Sequence, residues 1–106
     1  MATVTVNLSE INLDDLPQRK SVYAIFAQSE KTLKPINCRY VGETDNLEER
    51  TKAHFATNEQ NDCLKKFMQS TKTKMMIYEL LPNSDKQERL QKEIDWIKLY
   101  KPECNK

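Results

Sequence analysis

The chain has almost no glycine. Average usage of about 7 % would put roughly seven in a chain of this length, and it has one, Gly42. A sole glycine between a strand-like run and a helix start is there for its backbone. It either permits a positive φ or lets another group approach the bare main chain. Long apolar runs are also missing, and none approaches the ~20 residues of a membrane span. The N-terminal MATVTVNLSE has no basic start and no long apolar segment, so no signal peptide is expected. Cys38, Cys63 and Cys104 are odd in number and far apart. That spacing offers neither a disulfide framework nor a zinc knuckle. It reads as three reduced thiols in a cytosol-like compartment, hence a cytoplasmic protein with no membrane partner.

Excess charge of one sign is absent too. Seventeen Lys and Arg face sixteen Asp and Glu, for a net charge of +1. A dedicated nucleic-acid binder is usually more basic. Affinity for nucleic acid would therefore have to come from a local patch, an oligomer or a protein partner. No internal repeat, low-complexity tract or linker interrupts the 106 residues, which read as one domain with a single modest core.

What is present alternates cleanly between strand and helix patterns. Residues 3–8, TVTVNL, suit a short edge strand. Ser21–Ala27 reads as a strand with Val22, Ala24 and Phe26 on one side and Tyr23 and Ile25 on the other. A polar connection leads to a second strand, Ile36–Val41, and the two make an antiparallel hairpin. The chain then leaves through Gly42 into a helix, with Asp45 and Glu48 at capping-box spacing and Thr44 as a competing cap. Leu47, Arg50 and His54, the only histidine, share one face of it. ATNEQND breaks that pattern. Asn61 or Asp62 can cap a second helix with the stripe Leu64, Phe67 and Met68. Lys74–Leu81 reads as a third strand. Ser84 and Gln87 have capping-box spacing for a last helix, which runs to about Tyr100 and is ended by Pro102. The expectation is an α+β fold in the order β-β-α-α-β-α: a small three-stranded antiparallel sheet flanked by helices.

Two features carry chemistry. In the last helix Leu90, Ile94, Ile97 and Tyr100 form an apolar stripe, and Glu93 falls within it. A carboxylate on that side is costly unless paired or bound to a cation, and spacing leaves three readings open: a salt bridge to Arg50, a snorkelling side chain, or a metal ligand. Between Asp62 and Glu79 there is no acid, while Lys65, Lys66, Lys72 and Lys74 cluster. They are either a solvated surface or phosphate contacts.

The ordered set of motifs is more specific than any one of them. Ser21-Val22-Tyr23, Tyr40-Val41-Gly42, Thr44-x-Asn46-Leu47-x-x-Arg50-x-x-x-His54 and Glu93-x-x-Trp96-Ile97-x-x-Tyr100-Lys101-Pro102-x-x-Asn105 together resemble the GIY-YIG endonuclease domain, from about Leu16 to Asn105. The resemblance implies a nuclease site that hydrolyses a phosphodiester with one divalent cation, Mg²⁺ or Mn²⁺, with DNA as the partner. Carried over by motif, Tyr23 and Tyr40 match the two signature tyrosines and Arg50 the catalytic arginine. Glu93 matches the metal-binding glutamate, Asn105 the asparagine that supports the site, and His54 a histidine found in some members. Gly42 and the four lysines are the candidate substrate contacts. Ser21 departs from the family's first glycine, and Val22 and Val41 replace isoleucines.

The chemistry is coherent on these residues. A cation on Glu93 would polarise the phosphate. Arg50 offers a fork of fixed donors to the developing oxyanion. Tyr23, Tyr40 or His54 would take the proton of the attacking water, and the sequence leaves that choice open. A module of another class, catalytically silent and binding nucleic acid or a protein through the same fold, is the alternative. An RNA-directed member is disfavoured, because no stacking aromatics lie beside an RNA-binding motif.

Overall fold

The computed structural model describes residues 3–105. Its strands are β1 (Val4–Asn7), β2 (Ser21–Gln28), β3 (Pro35–Thr44) and β4 (Lys74–Leu80). Its helices are α1 (Leu47–Phe55), α2 (Asp62–Met68) and α3 (Lys86–Tyr100), with a short 3-10 turn at Leu13–Asp15. The sheet has four strands and not the three expected. The order is β1-β4-β2-β3 and every pair is antiparallel. The extra strand is TVTVNL, which pairs with the outer edge of β4 from Val4 opposite Tyr78 to Asn7 opposite Met75. Its alternation suits an edge, but pairing with a strand about 70 residues away is not visible in the local pattern.

β2 is central, and seven of its eight residues are buried. Its alternation holds as read. Tyr23, Ile25 and Ala27 pack with Leu47, Leu64, Phe67, Met76 and Tyr78 under α1 and α2. Val22, Ala24 and Phe26 pack with Val41, Met75 and Trp96 under α3. Both faces of the sheet are therefore covered, and no described helix is long and apolar enough to cross a membrane.

Several local expectations shift by a residue or a turn. β3 continues to Thr44, whose hydroxyl bonds the Asn46 backbone, so the cap of α1 is Asn46 accepting from Glu49 N at 3.0 Å, not Asp45 or Thr44. Asn61 caps α2 as one of the two residues expected. Ser84 cannot cap α3, because its hydroxyl donates to Leu81 O at 2.6 Å and accepts from Arg89. Asp85 and Glu88 form the capping box instead. On α3 the expected stripe is rotated. Ile94 stays 46 % exposed, while Arg89 and Trp96 are buried and Glu93 and Tyr100 are half-buried on the same face. The Arg89 ion pair with Glu43 of β3, at 3.0 Å, turns the helix that way.

The cysteine reading needs correction. Cys63 and Cys104 are joined, with Cα atoms 5.4 Å apart across 41 residues of sequence. After Lys101 in the left-handed region and Pro102, the C-terminal segment runs back along β3, with Glu103 N bonding Cys38 O and Cys104 N bonding Arg39 O. That return brings Cys104 to the start of α2, a proximity that sequence spacing does not show. The pairing leaves Cys38 as the free, buried thiol and removes the ground for assigning a reducing compartment.

Candidate active site

The site is built at the β3 edge of the sheet, where Gly42 lies opposite Tyr23 in register. Gly42 sits inside a strand with no positive φ, so its conformational freedom is not what the fold uses. Close approach is the reason. A Cβ at this position would lie 2.6 Å from Tyr23 Oη, 2.7 Å from its Cζ and 2.9 Å from Tyr40 Cε2. Two tyrosine rings occupy the space that any other residue would fill, so that space is not left for substrate.

α1 brings the remaining side chains. Leu47 and Thr51 are fully buried and hold its inner face, with His54 one turn further at 1 % exposure. Tyr23 Oη and His54 Nε2 are 2.6 Å apart. The Tyr40 ring stands edge-on to His54, with centroids 5.2 Å apart, and tilted to Tyr23 at 6.2 Å. Arg50 is exposed at the rim, one turn before His54, and its guanidinium interacts with both tyrosine hydroxyls. Burial pushes the Tyr23 hydroxyl far above the usual phenol range and Tyr40 adds to this, while Arg50 pulls the other way. Tyr40 is raised by burial, again opposed by Arg50. Neither tyrosine is a standing base at neutral pH.

His54 has a second partner that sequence reading missed. Its Nδ1 hydrogen-bonds the Glu59 carboxylate, whose side chain is 8 % exposed. Burial lowers the His54 pKa, Glu59 opposes this and Arg50 reinforces it, so the imidazole is neutral near pH 7. Burial raises the Glu59 carboxyl, but the bonds from His54 and the Asn61 backbone outweigh it and leave it ionised. An ionised carboxylate only accepts. Nδ1 must then carry the hydrogen, and Nε2 is left to accept from the Tyr23 hydroxyl. Only the helix break between His54 and Glu59 hinted at this pairing, and an acid five residues past a histidine is an unremarkable pattern.

Glu93 approaches from α3. Among the described residues it makes no ion pair, so the salt bridge to Arg50 is not formed. Its carboxyl is raised first by burial and then by the neighbouring Glu43 carboxylate, against a hydrogen bond from the Glu43 backbone. It is close enough to both tyrosines to oppose their ionisation. Glu43 itself is compensated by Arg89 and Lys86. Asn105 clasps the strand beside Gly42: its Oδ1 accepts from Val41 N and its Nδ2 donates to Val41 O, both at 2.7 Å. Ser21 is buried in β2 with its hydroxyl on Arg19 O at 3.1 Å, so the serine is accommodated as ordinary strand.

The lysines lie elsewhere. Lys74 pairs with Ala27, four residues along β2 from Tyr23 and so about 13 Å from it. It is 5 % exposed and donates to Ser70 O at 2.6 Å and Lys72 O at 2.5 Å, so it is a structural cation. Lys66 and Lys72 are exposed at that far end, and Lys65 is half-buried.

Residues 19–106 match the family model described as the GIY-YIG catalytic domain, and the chain belongs to that family. No curated protein matches the chain at a significant level. The match spans nearly the whole molecule and covers every side chain placed at the β3 edge.

Proposed function

We propose that this protein is an endonuclease that hydrolyses DNA phosphodiester bonds with the help of one divalent cation, Mg²⁺ or Mn²⁺. The observation that carries this is the 2.6 Å contact between Tyr23 Oη and His54 Nε2 beneath the bare Gly42 backbone. A neutral imidazole accepting from a tyrosine hydroxyl is a ready sink for the proton of an attacking water. Tyr23 relays that proton, with the half-buried Tyr40 and the exposed Arg50 beside it. The Arg50 fork faces the charge that develops on the phosphate oxygens.

The residues fit a cation. Glu93 is half-buried and makes no ion pair among the described residues, while its neighbour Glu43 is compensated by Arg89 and Lys86, so Glu93 is the carboxylate there that a cation would neutralise. No described cluster of three or more His, Cys, Asp or Glu forms a closed cage. Mg²⁺ does not require one, since it is commonly held by one or two carboxylates together with substrate phosphate and water. A bound cation would supply Lewis acidity toward the phosphate. Lys65, Lys66 and Lys72 would contact DNA beyond the scissile position, and a protein partner would supplement the modest affinity expected at a net charge of +1.

The test is cleavage of plasmid, flap and branched DNA with and without Mg²⁺ or Mn²⁺, by wild type and Arg50→Lys. Lysine keeps the charge and loses the fork. We expect metal-dependent cutting by wild type and a loss of about 10²–10³ in rate for the variant, with DNA binding retained. A wild type that cuts nothing under any metal would leave a binding module of the same fold.

A further inference from the structure

Glu59 lies in the connection between α1 and α2, outside every helix and strand. Its carboxylate is nonetheless held at both oxygens. Oε1 meets His54 Nδ1, and Oε2 accepts from the Asn61 backbone N–H at 3.3 Å. Asn61 is itself fixed twice. Its Oδ1 caps α2 at Leu64 N, 3.1 Å away, and its Nδ2 donates to Cys104 O at 2.8 Å, beside the Cys63–Cys104 bridge. A loop carboxylate anchored by a helix cap and a cross-linked tail is held still, and it is aimed at the chain's only histidine.

We infer that Glu59 is a positioning residue of the site: it holds His54 with the hydrogen on Nδ1, presents Nε2 to Tyr23, and stabilises the imidazolium formed during hydrolysis. This rests on the nuclease reading. As the water oxygen bonds to phosphorus, the water proton passes to Tyr23 Oη and the Tyr23 proton passes to Nε2. The bond from phosphorus to the leaving ester oxygen breaks, and that oxygen takes a proton from solvent. His54 later returns its proton through Tyr23. The groups that face His54 are Tyr23 from β2, Tyr40 from β3, Arg50 from its own helix and Glu59. Arg50 disfavours the imidazolium, and of these groups Glu59 is the one that favours it. A carboxylate behind a histidine in this way fixes tautomer and orientation without being protonated itself.

A single histidine makes the test direct. Imidazole ¹⁵N and ¹H shifts are followed against pH in wild type, Glu59→Gln and Glu59→Asp, beside kcat, KM and the pH profile of cleavage. In wild type the Nδ1–H tautomer dominates. In Glu59→Gln the tautomer becomes mixed, the histidine titrates at lower pH and the acid limb of kcat moves down with it. The rate falls on the order of 10²-fold, the low end of acid–base catalysis, with KM little changed. Glu59→Asp keeps the charge and restores the titration and most of the rate, and it serves as the test should the glutamine variant fail to fold. An unmoved tautomer and titration in folded Glu59→Gln overturns the inference while wild-type cleavage leaves the nuclease reading standing. A wild type without cleavage overturns the nuclease reading and, with it, the catalytic part of the inference.

Discussion

The two faces of the sheet handle buried polar groups in opposite ways. On the α3 face Glu43, 6 % exposed, is locked between the Arg89 and Lys86 cations, and Arg89 also donates to Ser84 O at 3.0 Å. Each charge of that cluster has a fixed partner. On the α1 and α2 face, apart from the Lys74 cation held by backbone carbonyls at the far end, Tyr23, His54 and Glu59 are joined end to end through hydrogens that can move. The first arrangement holds its charges still, while the second has room to shift a proton by one bond. Glu93 stands between them at the β3 edge, without an ion pair among the described residues. A compensated ion cluster has no proton to give up near neutral pH, whereas a chain of neutral donors and acceptors ending in one carboxylate is the arrangement on which the proposed chemistry rests.

That contrast can be broken first on the α3 side. Glu43→Gln leaves Arg89 buried with its charge unpaired, and we expect a loss of about 3–5 kcal/mol in urea unfolding. The pH dependence has a definite sign. Burial raises the Glu43 carboxyl, but the bonds from Lys86 and Arg89 prevail and hold it below the usual carboxylate range. Its contribution is therefore present above about pH 4 and is lost as pH falls through the lower folded value. The glutamine variant should lack that acid-labile part. If the two proteins lose stability in parallel below pH 4, the ion cluster is not what holds α3 to β3.

On the other face, Tyr23→Phe removes a single oxygen and leaves His54 Nε2 buried without a donor. An unsatisfied buried group costs about 1–3 kcal/mol, less than the Glu43 change, yet cleavage should be abolished. Thermal unfolding and a plasmid assay on the same preparation compare the two effects. A phenylalanine variant that still cuts at the wild-type rate would take Tyr23 out of the reaction.

The smallest stability effect belongs to Glu93→Gln. Burial and Glu43 raise the Glu93 carboxyl, so the folded protein binds its proton more readily than the unfolded chain does. Stability then falls as pH rises from the unfolded to the folded value, and ionised Glu93 is a net cost at pH 7. The variant should be as stable as wild type without metal, or slightly more so. It should also lose any rise in melting temperature that Mg²⁺ or Mn²⁺ gives the wild type. A variant destabilised by several kcal/mol would show instead that Glu93 is held in an ion pair.

Much of this was legible in the sequence because it is encoded within a few residues. The alternation of β2 and the Leu47 anchor of α1 depend on strand and helix periods of two and 3.6, the Asn61 cap on its short side-chain acceptor, and the ordered tyrosine, arginine and glutamate motifs on the resemblance to the family that the chain belongs to. The sole glycine announced a backbone constraint, but the two tyrosine rings that impose it come from register across a hairpin. Periodicity also misled on α3, where an apolar count favours Ile94 and a buried ion pair turns Arg89 inward. The shifted caps have the same cause, since neighbouring side chains claim Thr44 and Ser84 for other bonds.

What only the tertiary structure decided are pairings between distant segments. Edge pairing of β1 with β4, the Cys63–Cys104 bridge, the 46-residue separation of Glu43 and Arg89 and the 31-residue separation of Tyr23 and His54 all belong to this class. A pair of this kind leaves no period in the chain. It forms because burying both sheet faces leaves one way to lay α1, α2, α3 and the C-terminal tail over the strands. Glu59 shows the limit most sharply. It is five residues from His54, yet the helix ends between them, and only the Asn61 cap and the returning tail aim its carboxylate at Nδ1.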